Sequence, residues 1–263
     1  MDVAARDLPV LEASAASVSY RSRNGTIEAL RSLDLKVTRG EFVCVLGPSG
    51  CGKSTMLKLF AGLMQPTKGS VTVGGVPAVQ ASRSTGVVFQ KATLLPWFRI
   101  LDNVLLPIKA VGRADAQAVA RARALLEMTG LARFETNYPF ELSGGMQQRA
   151  AIARSLCHDP SLLLMDEPLA ALDAMTREQM MIEIRQIWKK TSKSILFITH
   201  SIPEAVFLAT RIVVLAARPG RVVRDFQVPL PDERTMDTMS SLEFGELCRE
   251  LRSMFQDSYK GAS

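Results

Sequence analysis

The stretch that decides the fold is an octet that lies between an apolar run (42–46) and a helix-forming run (55–61). It reads Gly47, Pro48, Ser49, Gly50, Cys51, Gly52, Lys53 and Ser54, a full match to G-x-x-x-x-G-K-[ST]. A strand that enters a Gly-rich turn and leaves as a helix aims several backbone N–H groups, and the positive end of the helix dipole, at one point. The octet therefore predicts a site for the phosphates of a nucleotide.

Each part of this loop has a predicted task. We expect side chains at Gly47, Gly50 or Gly52 to obstruct the wrap around the phosphates. Lys53 supplies a mobile positive charge for the β- and γ-phosphates, and the Ser54 hydroxyl can coordinate Mg²⁺. The predicted nucleotide site comprises the whole octet and the next residue, Thr55. The alternative is a plain Gly-rich turn with an exposed lysine, which the legible strand and helix on either side disfavour.

Size and composition bound the class of protein. The chain has 263 residues, 47% of them hydrophobic and 22% charged, which suits one large globular α/β domain. It contains no apolar stretch of about 18 residues, the length that spans a bilayer. The net charge of +6 comes from dispersed basic residues and not from a cluster, so we predict no nucleic-acid partner.

Cysteine usage and the first residues indicate the compartment. The four cysteines lie at 44, 51, 157 and 248, without C-x-x-C spacing, so neither a disulfide framework nor a cysteine metal site is expected and a reducing cytosol is indicated. Residues 1–16 carry acidic residues in place of a basic segment with an apolar core. We therefore do not expect a secretory signal there.

The order of elements predicts an α/β fold. Runs at 18–20 and 33–38, separated by Arg23, Asn24 and Gly25, indicate a hairpin, and strands at 70–73 and 86–90 are expected around a Gly74-Gly75 turn. Residues 101–128 form a mostly helical region. From residue 146 onward helices and strands alternate, which is typical of a mainly parallel sheet covered by helices, with ligands at the carboxyl ends of its strands.

Two adjacent carboxylates, Asp166 and Glu167, follow the apolar run 162–165. Since neighbouring strand side chains point to opposite faces, we expect different tasks for the two. Asp166 would reach Mg²⁺ through water, and Glu167 would face the γ-phosphate and polarise the attacking water. The alternative is that the pair begins a loop and solvates the strand end; the upstream phosphate loop favours the catalytic interpretation.

A second helix start carries anion-binding features. Ser143 is a predicted N-cap, and Gly144 and Gly145 let an anion approach the exposed N–H groups of the helix that follows. By itself, Ser-Gly-Gly before a helix is a common cap. Together with the phosphate loop, it gives the chain two helix ends that can receive phosphate.

The run Leu142–Gly145, between a phosphate loop and a strand that ends in Asp-Glu, resembles the signature of ATP-binding-cassette (ABC) ATPases. The resemblance covers about residues 10–228. It implies that Tyr20 stacks on adenine, that Gln90 senses Mg²⁺ and the permease, that Asp173 touches the partner subunit, and that His200 contacts the γ-phosphate.

The same resemblance implies an architecture and a complete site. We expect an ATPase domain over residues 1–230, with a phosphate-loop core, an antiparallel β-subdomain and an inserted helical subdomain at about 91–160, followed by a helical tail at 231–263. ATP and Mg²⁺ are the implied cofactors. The implied catalytic residues are Glu167, His200, Lys53 and Gln90; the implied metal-binding residues are Ser54, Gln90 and Asp166.

The family arrangement also implies partners. Each ATP lies between the phosphate loop of one chain and Ser143 and Gly145 of another, so a head-to-tail homodimer is expected. The dimer would bind integral-membrane permease subunits at the cytoplasmic face of the membrane, and would serve a substrate-binding protein indirectly.

Within the family, two segments resemble the nitrate, sulfonate and taurine importer ATPases: 90–97, and 199–205 followed by Arg218, Pro219, Gly220 and Arg221. The stiff run 94–98 can present Leu94, Leu95, Trp97 and Phe98 to a permease helix, or these side chains can pack inside the helical subdomain. Two rival functions remain: an importer ATPase for phosphate, sulfate or amino acids, and a soluble ABC ATPase that needs no permease.

Overall fold

The computed structural model describes residues 9–22, 25–217 and 219–260. The expected turn residues Arg23 and Asn24, the segment 1–8 and Arg218 lie outside the described residues. The strands are β1 (Leu11–Ser22), β2 (Gly25–Val37), β3 (Phe42–Leu46), β4 (Lys68–Val73), β5 (Val76–Pro77), β6 (Thr85–Val88), β7 (Leu162–Asp166), β8 (Ser194–Thr199), β9 (Arg211–Ala216) and β10 (Arg221–Gln227). The helices are α1 (Lys53–Phe60), α2 (Ile100–Lys109), α3 (Ala116–Met128), α4 (Gly144–Leu156), α5 (Ala174–Thr191), α6 (Ile202–Leu208), α7 (Met236–Met239) and α8 (Leu242–Lys260).

A six-stranded sheet forms the centre, in the order β10-β9-β3-β8-β7-β6. All its pairs are parallel except β10 with β9. The inner strands β3, β7, β8 and β9 are buried on both faces and are therefore nearly continuous apolar runs, whereas the edge strand β10 is largely exposed. Alternate residues of β3 enter different cores: Phe42, Cys44 and Leu46 pack under the helices, whereas Val43 and Val45 pack towards α1 and the second sheet. This arrangement, and the solved structures reported below, confirm the predicted α/β class.

The second sheet is antiparallel, in the order β2-β1-β4-β5. The predicted hairpin of β1 and β2 is present, with Ser22 paired to Gly25. One prediction was wrong: the Gly74-Gly75 turn joins β4 to the two-residue strand β5, and β6 belongs to the other sheet. The error arose because β5 is too short to produce an alternating pattern of its own.

Helices α2, α3 and α4 pack together beside the central sheet. Helix α3, which lies in the predicted helical region 101–128, faces this core through Ala122, Leu125 and Leu126. Near the C-terminus, α8 packs on α6 and buries Phe244, Cys248 and Leu251. None of the helices in the described ranges is long and apolar enough to cross a membrane.

Candidate nucleotide site

The phosphate loop joins the end of β3 to the first turn of α1. Gly52 precedes α1 with φ of 90°, a conformation that glycine adopts most readily. A Cβ at this position would lie 2.9 Å from the carbonyl oxygen of Ala29 and 2.7 Å from Leu30 Cδ2. Residues 29–30 are held there because Gly220 pairs with them: Gly220 N donates to Ala29 O (3.0 Å) and Arg31 N donates to Gly220 O (2.9 Å). The sharp turn is therefore built against the second sheet.

The other two glycines differ in what excludes a side chain. A Cβ on Gly47 would lie 2.5 Å from Cys51 Sγ, so protein atoms alone exclude it. At Gly50, no atom of the described residues lies within 4 Å of such a Cβ, so protein packing does not exclude a side chain there. The Gly50 φ of 78° is what favours glycine there.

Lys53 begins α1 and its side chain is almost completely buried. Its ammonium group donates to two carbonyls of its own loop, Gly47 O at 2.8 Å and Pro48 O at 3.1 Å. The same nitrogen lies 3.6 Å from Glu167 Oε1. The loop thus holds the positive charge of Lys53 beside the carboxylate of Glu167, the residue that follows β7.

A cleft of about 860 Å³ opens beside the loop. Seven of the predicted residues line it: Ser49, Gly50, Gly52, Lys53, Ser54, Thr55 and Glu167. The remaining lining residues were not predicted: Thr26, Ile27, Glu28, Ala29, Arg31 and Pro219. No local motif marks this wall, since it comes from the start of β2 and the turn before β10 and is assembled by tertiary pairing. Tyr20 lies next to the cleft residue Thr55, with the two hydroxyls 3.2 Å apart.

The sequence predicts that Glu167 continues strand β7, but in the structure the strand ends at Asp166. The φ of Glu167 is 44°, a left-handed conformation that costs on the order of 1–3 kcal/mol for a residue with a side chain. Its N–H donates to Ile198 O on the neighbouring strand at 2.9 Å, which fixes this turn. His200, just after β8, places Nδ1 2.9 Å from Glu167 Oε2. The expected separation of tasks between the two carboxylates therefore has a different basis: a sharp turn, and not strand alternation.

Asp166 is the last residue of β7 and is half-buried. Burial, and then the neighbouring Glu167 charge, raise the pKa of the Asp166 carboxyl, and Lys53 only partly opposes this. Among the described residues, no cluster of three or more His, Cys, Asp or Glu side chains could hold a metal. Mg²⁺ does not need one, because it commonly takes one or two protein oxygens plus phosphates and water. The Asp166 carboxylate and the Ser54 hydroxyl fit that donor chemistry.

Ten of the predicted residues do not line this cleft: Tyr20, Gly47, Pro48, Cys51, Gln90, Ser143, Gly145, Asp166, Asp173 and His200. Gln90 is exposed two residues beyond β6, and not at its end as expected. Ser143 caps α4, where its Oγ accepts from Met146 N at 3.3 Å, as predicted. Asp173 caps α5 in the same way, by accepting from Thr176 N at 3.0 Å. Gly145 packs against Thr176, with a hypothetical Cβ 2.7 Å from its Cγ2. The capped starts of α4 and α5 therefore lie side by side, outside the cleft.

The phosphate loop lies between a buried parallel strand and a helix, and two carboxylates stand at the end of β7 in the same sheet. These features define the class of phosphate-loop nucleoside triphosphatases. The sequence family described as ABC transporter matches residues 30–170. The chain belongs to this family, which confirms the resemblance inferred from its motifs.

Individual relatives agree. The uncharacterized ABC transporter ATP-binding protein MJ0412 of Methanocaldococcus jannaschii is 45% identical over 238 residues, covering 90% of this chain and 88% of the relative. The taurine import ATP-binding protein TauB of Rhizobium johnstonii is 44% identical over 255 residues, covering 95% and 97%. Among solved structures, the dimeric bacterial ABC transporter cassette MJ0796 has a TM-score of 0.73 at 33% identity, covering 84% of this chain and 100% of that one.

Proposed function

We propose that this chain is the ATP-hydrolysing subunit of an ABC importer for a small sulfonate of the taurine type. One observation carries the chemistry: Glu167 stands between Lys53 Nζ at 3.6 Å and His200 Nδ1 at 2.9 Å, at the edge of the phosphate-loop cleft. A carboxylate held between two such groups is suited to orient a water molecule beside the γ-phosphate.

In the proposed mechanism the loop N–H groups and Lys53 bind the β- and γ-phosphates, and Tyr20 stacks on adenine. Mg²⁺, held through Ser54, Asp166 and Gln90, would neutralise charge that develops on the phosphates. Glu167 orients the attacking water, and His200 fixes Glu167 and contacts the γ-phosphate. Catalysis consists mainly of positioning and charge stabilisation.

The position of the second anion-binding helix start, that of α4, suggests that two chains share each ATP site. Ser143 and Gly145 do not line the cleft of their own chain, so we propose that they complete the cleft of a second copy. ATP would close the head-to-tail dimer, since its phosphates bind both chains, and hydrolysis would open it. The related cassette MJ0796 is dimeric, and a further structure shows it bound to ADP and Pi after hydrolysis.

The substrate class is proposed from relatives. Proteins named as taurine import ATP-binding subunits share 42–48% identity with this chain over 79–95% of its length in Burkholderia pseudomallei, Rhizobium johnstonii and Pseudomonas aeruginosa. They favour the sulfonate importer over the two rival functions. We propose that the dimer sits on permease subunits at the cytoplasmic face and receives substrate signals indirectly from a substrate-binding protein.

The test has two arms. Phosphate release by the purified chain should require both ATP and Mg²⁺; turnover that does not depend on Mg²⁺ would contradict the proposed site. Co-expression with candidate permease and substrate-binding protein subunits from the same organism should then support ATP-dependent uptake of taurine. Uptake of phosphate or sulfate in place of taurine would contradict the substrate class while leaving the ATPase intact.

A further inference from the structure

Close to His200 in the chain lies a buried polar pair to which the proposed mechanism gives no role. Thr199 ends β8 and Glu204 lies in the first turn of α6, on either side of His200 in the chain. Thr199 is 1% exposed and Glu204 5% exposed. A buried carboxylate is costly unless it is hydrogen-bonded, so its presence asks for an explanation.

The pair encloses the backbone of His200. The Thr199 hydroxyl donates to Glu204 Oε2 at 2.6 Å, and Thr199 Oγ1 itself accepts from Ser201 N at 3.0 Å. Ser201 Oγ in turn accepts from Glu204 N at 3.4 Å and caps α6. The residues directly before and after His200 are thus tied to each other and to the helix that follows.

The pair is also connected to the partner-facing segment before α5. Arg177 Nε lies 3.8 Å from Glu204 Oε1, close enough for an ion pair but not for a hydrogen bond. Its Nη2 donates to Leu172 O at 2.8 Å, one residue before the α5 cap Asp173. The charged groups that act on Glu204 are Arg177, His200 and Glu167, and burial raises the pKa of the Glu204 carboxyl.

We infer that Thr199 and Glu204 are positioning residues that hold the His200 turn so that its Nδ1 meets Glu167. The inference rests on the proposed catalytic roles of His200 and Glu167. His200 itself is exposed, so packing of its own side chain does not set the 2.9 Å contact. The buried hydrogen bonds on both sides of it do.

The direct test replaces the hydroxyl without changing the shape. Thr199→Val removes the donor to Glu204 and the acceptor for Ser201 N, while Thr199→Ser retains both. Since misplacement by about 1 Å can cost about a hundredfold, we expect Thr199→Val to lower kcat at least about tenfold with KM for ATP within about twofold. Thr199→Ser should restore kcat. A wild-type kcat for Thr199→Val overturns the inference.

Thr129→Val is a matched control. Thr129 is also buried, and its hydroxyl donates to Leu125 O at 2.9 Å within the α3 region, away from the cleft. This variant should lose stability in the way that Thr199→Val does while kcat per folded molecule stays unchanged. An equal fall in kcat for both variants would mean that only stability is being measured, and would overturn the inference.

If Thr199→Val does not fold, Glu204→Gln replaces it: the amide oxygen can still accept from Thr199, but the charge facing Arg177 is lost. A fall in kcat without a change in KM is again expected, and unchanged kcat again overturns the inference.

A double-mutant cycle separates this inference from the proposed function. If Thr199 acts through His200, adding Thr199→Val to His200→Ala should lower kcat by less than about twofold further. A full, additive loss overturns the positioning role and leaves the function of His200 untouched. A wild-type kcat for His200→Ala alone would instead overturn the proposed role of His200, and the inference with it.

Discussion

At the scale of single residues, Asp166 and Glu167 show how one turn gives neighbouring carboxylates different surroundings. Asp166 stays in line with β7 and is partly desolvated. Glu167 turns away with φ of 44° and meets Lys53 and His200. No cation of the described residues lies at hydrogen-bond distance from the Asp166 carboxylate, which is suited to bind an incoming one. The Glu167 carboxylate is already oriented by two partners.

The raised pKa of Asp166 has a consequence for stability. A carboxyl whose folded pKa lies above its unfolded value of about 3.8 contributes stability at low pH, and loses it as the pH rises through the folded value. Near neutral pH and without Mg²⁺, the charged Asp166 carboxylate therefore lowers the free energy of unfolding. We predict that Asp166→Asn melts higher than the wild type at pH 7.5 in EDTA, and that this advantage shrinks at pH 4.5. A variant that melts lower at both pH values would contradict the assignment. The same variant should lose the Mg²⁺-dependent part of its stabilisation by ATP.

Replacing Glu167 tests the role of its charge. Glu167→Gln keeps the size of the side chain but removes the charge that orients water, so we predict ATP binding close to that of the wild type and a fall in kcat of about a hundredfold or more. Size-exclusion chromatography with Mg-ATP should show a trapped dimer. Undiminished turnover, with only monomer present, would disprove this role.

At the scale of elements, the segment 94–98 before α2 is held by one buried side chain. Asn103 Nδ2 donates to the carbonyls of Leu95, Phe98 and Arg99 at 3.1–3.2 Å, and its Oδ1 accepts from Leu95 N at 2.7 Å. Trp97 is left 67% exposed, whereas Leu94 packs against the core. Of the two interpretations of this run, docking suits Trp97 and core packing suits Leu94.

We therefore predict that Trp97→Ala weakens binding to the permease subunits at least about tenfold, in a pull-down titration with membranes that contain them. Its melting temperature should stay within about 1 °C of the wild type, because an exposed side chain contributes little to folding. Leu63→Ala is the matched control: Leu63 is 68% exposed just after the end of α1, and removal of its side chain should leave permease binding unchanged. Equal effects of the two variants would argue against a docking role.

The elements that could be predicted from sequence are those with a strong local signal. The loop after β3 follows from its glycines and lysine, and the cap at Ser143 follows from its position before an apolar helix. The cleft wall at 26–31 could not be predicted, because it is positioned by pairing with Gly220, almost 200 residues away. The left-handed turn at Glu167 is fixed by Ile198 on another strand. Tertiary contacts, which leave no periodic pattern, decide these features.

At the scale of the whole molecule, the phosphate-loop cleft and the capped start of α4 lie on different parts of the chain. Lys53, Ser54 and Glu167 line the cleft, while Ser143 is exposed outside it. Each copy would therefore contribute the phosphate-loop half of one site and the α4 half of a second site. We propose that two copies assemble head to tail and share the two sites.

The most direct measurement of this claim is ATP hydrolysis by mixed variants. We predict that Ser143→Arg still binds ATP through its own loop but neither dimerises with ATP nor hydrolyses it, since the side chain blocks the helix start that receives the partner's γ-phosphate. Lys53→Ala should be inactive because it lacks the cation for the phosphates. In a mixed dimer, one site has both Lys53 and Ser143 intact and the other lacks both. Mixing the two inactive variants should therefore recover part of the wild-type ATPase activity. Normal hydrolysis by monomeric Ser143→Arg alone, or no recovery on mixing, would contradict it.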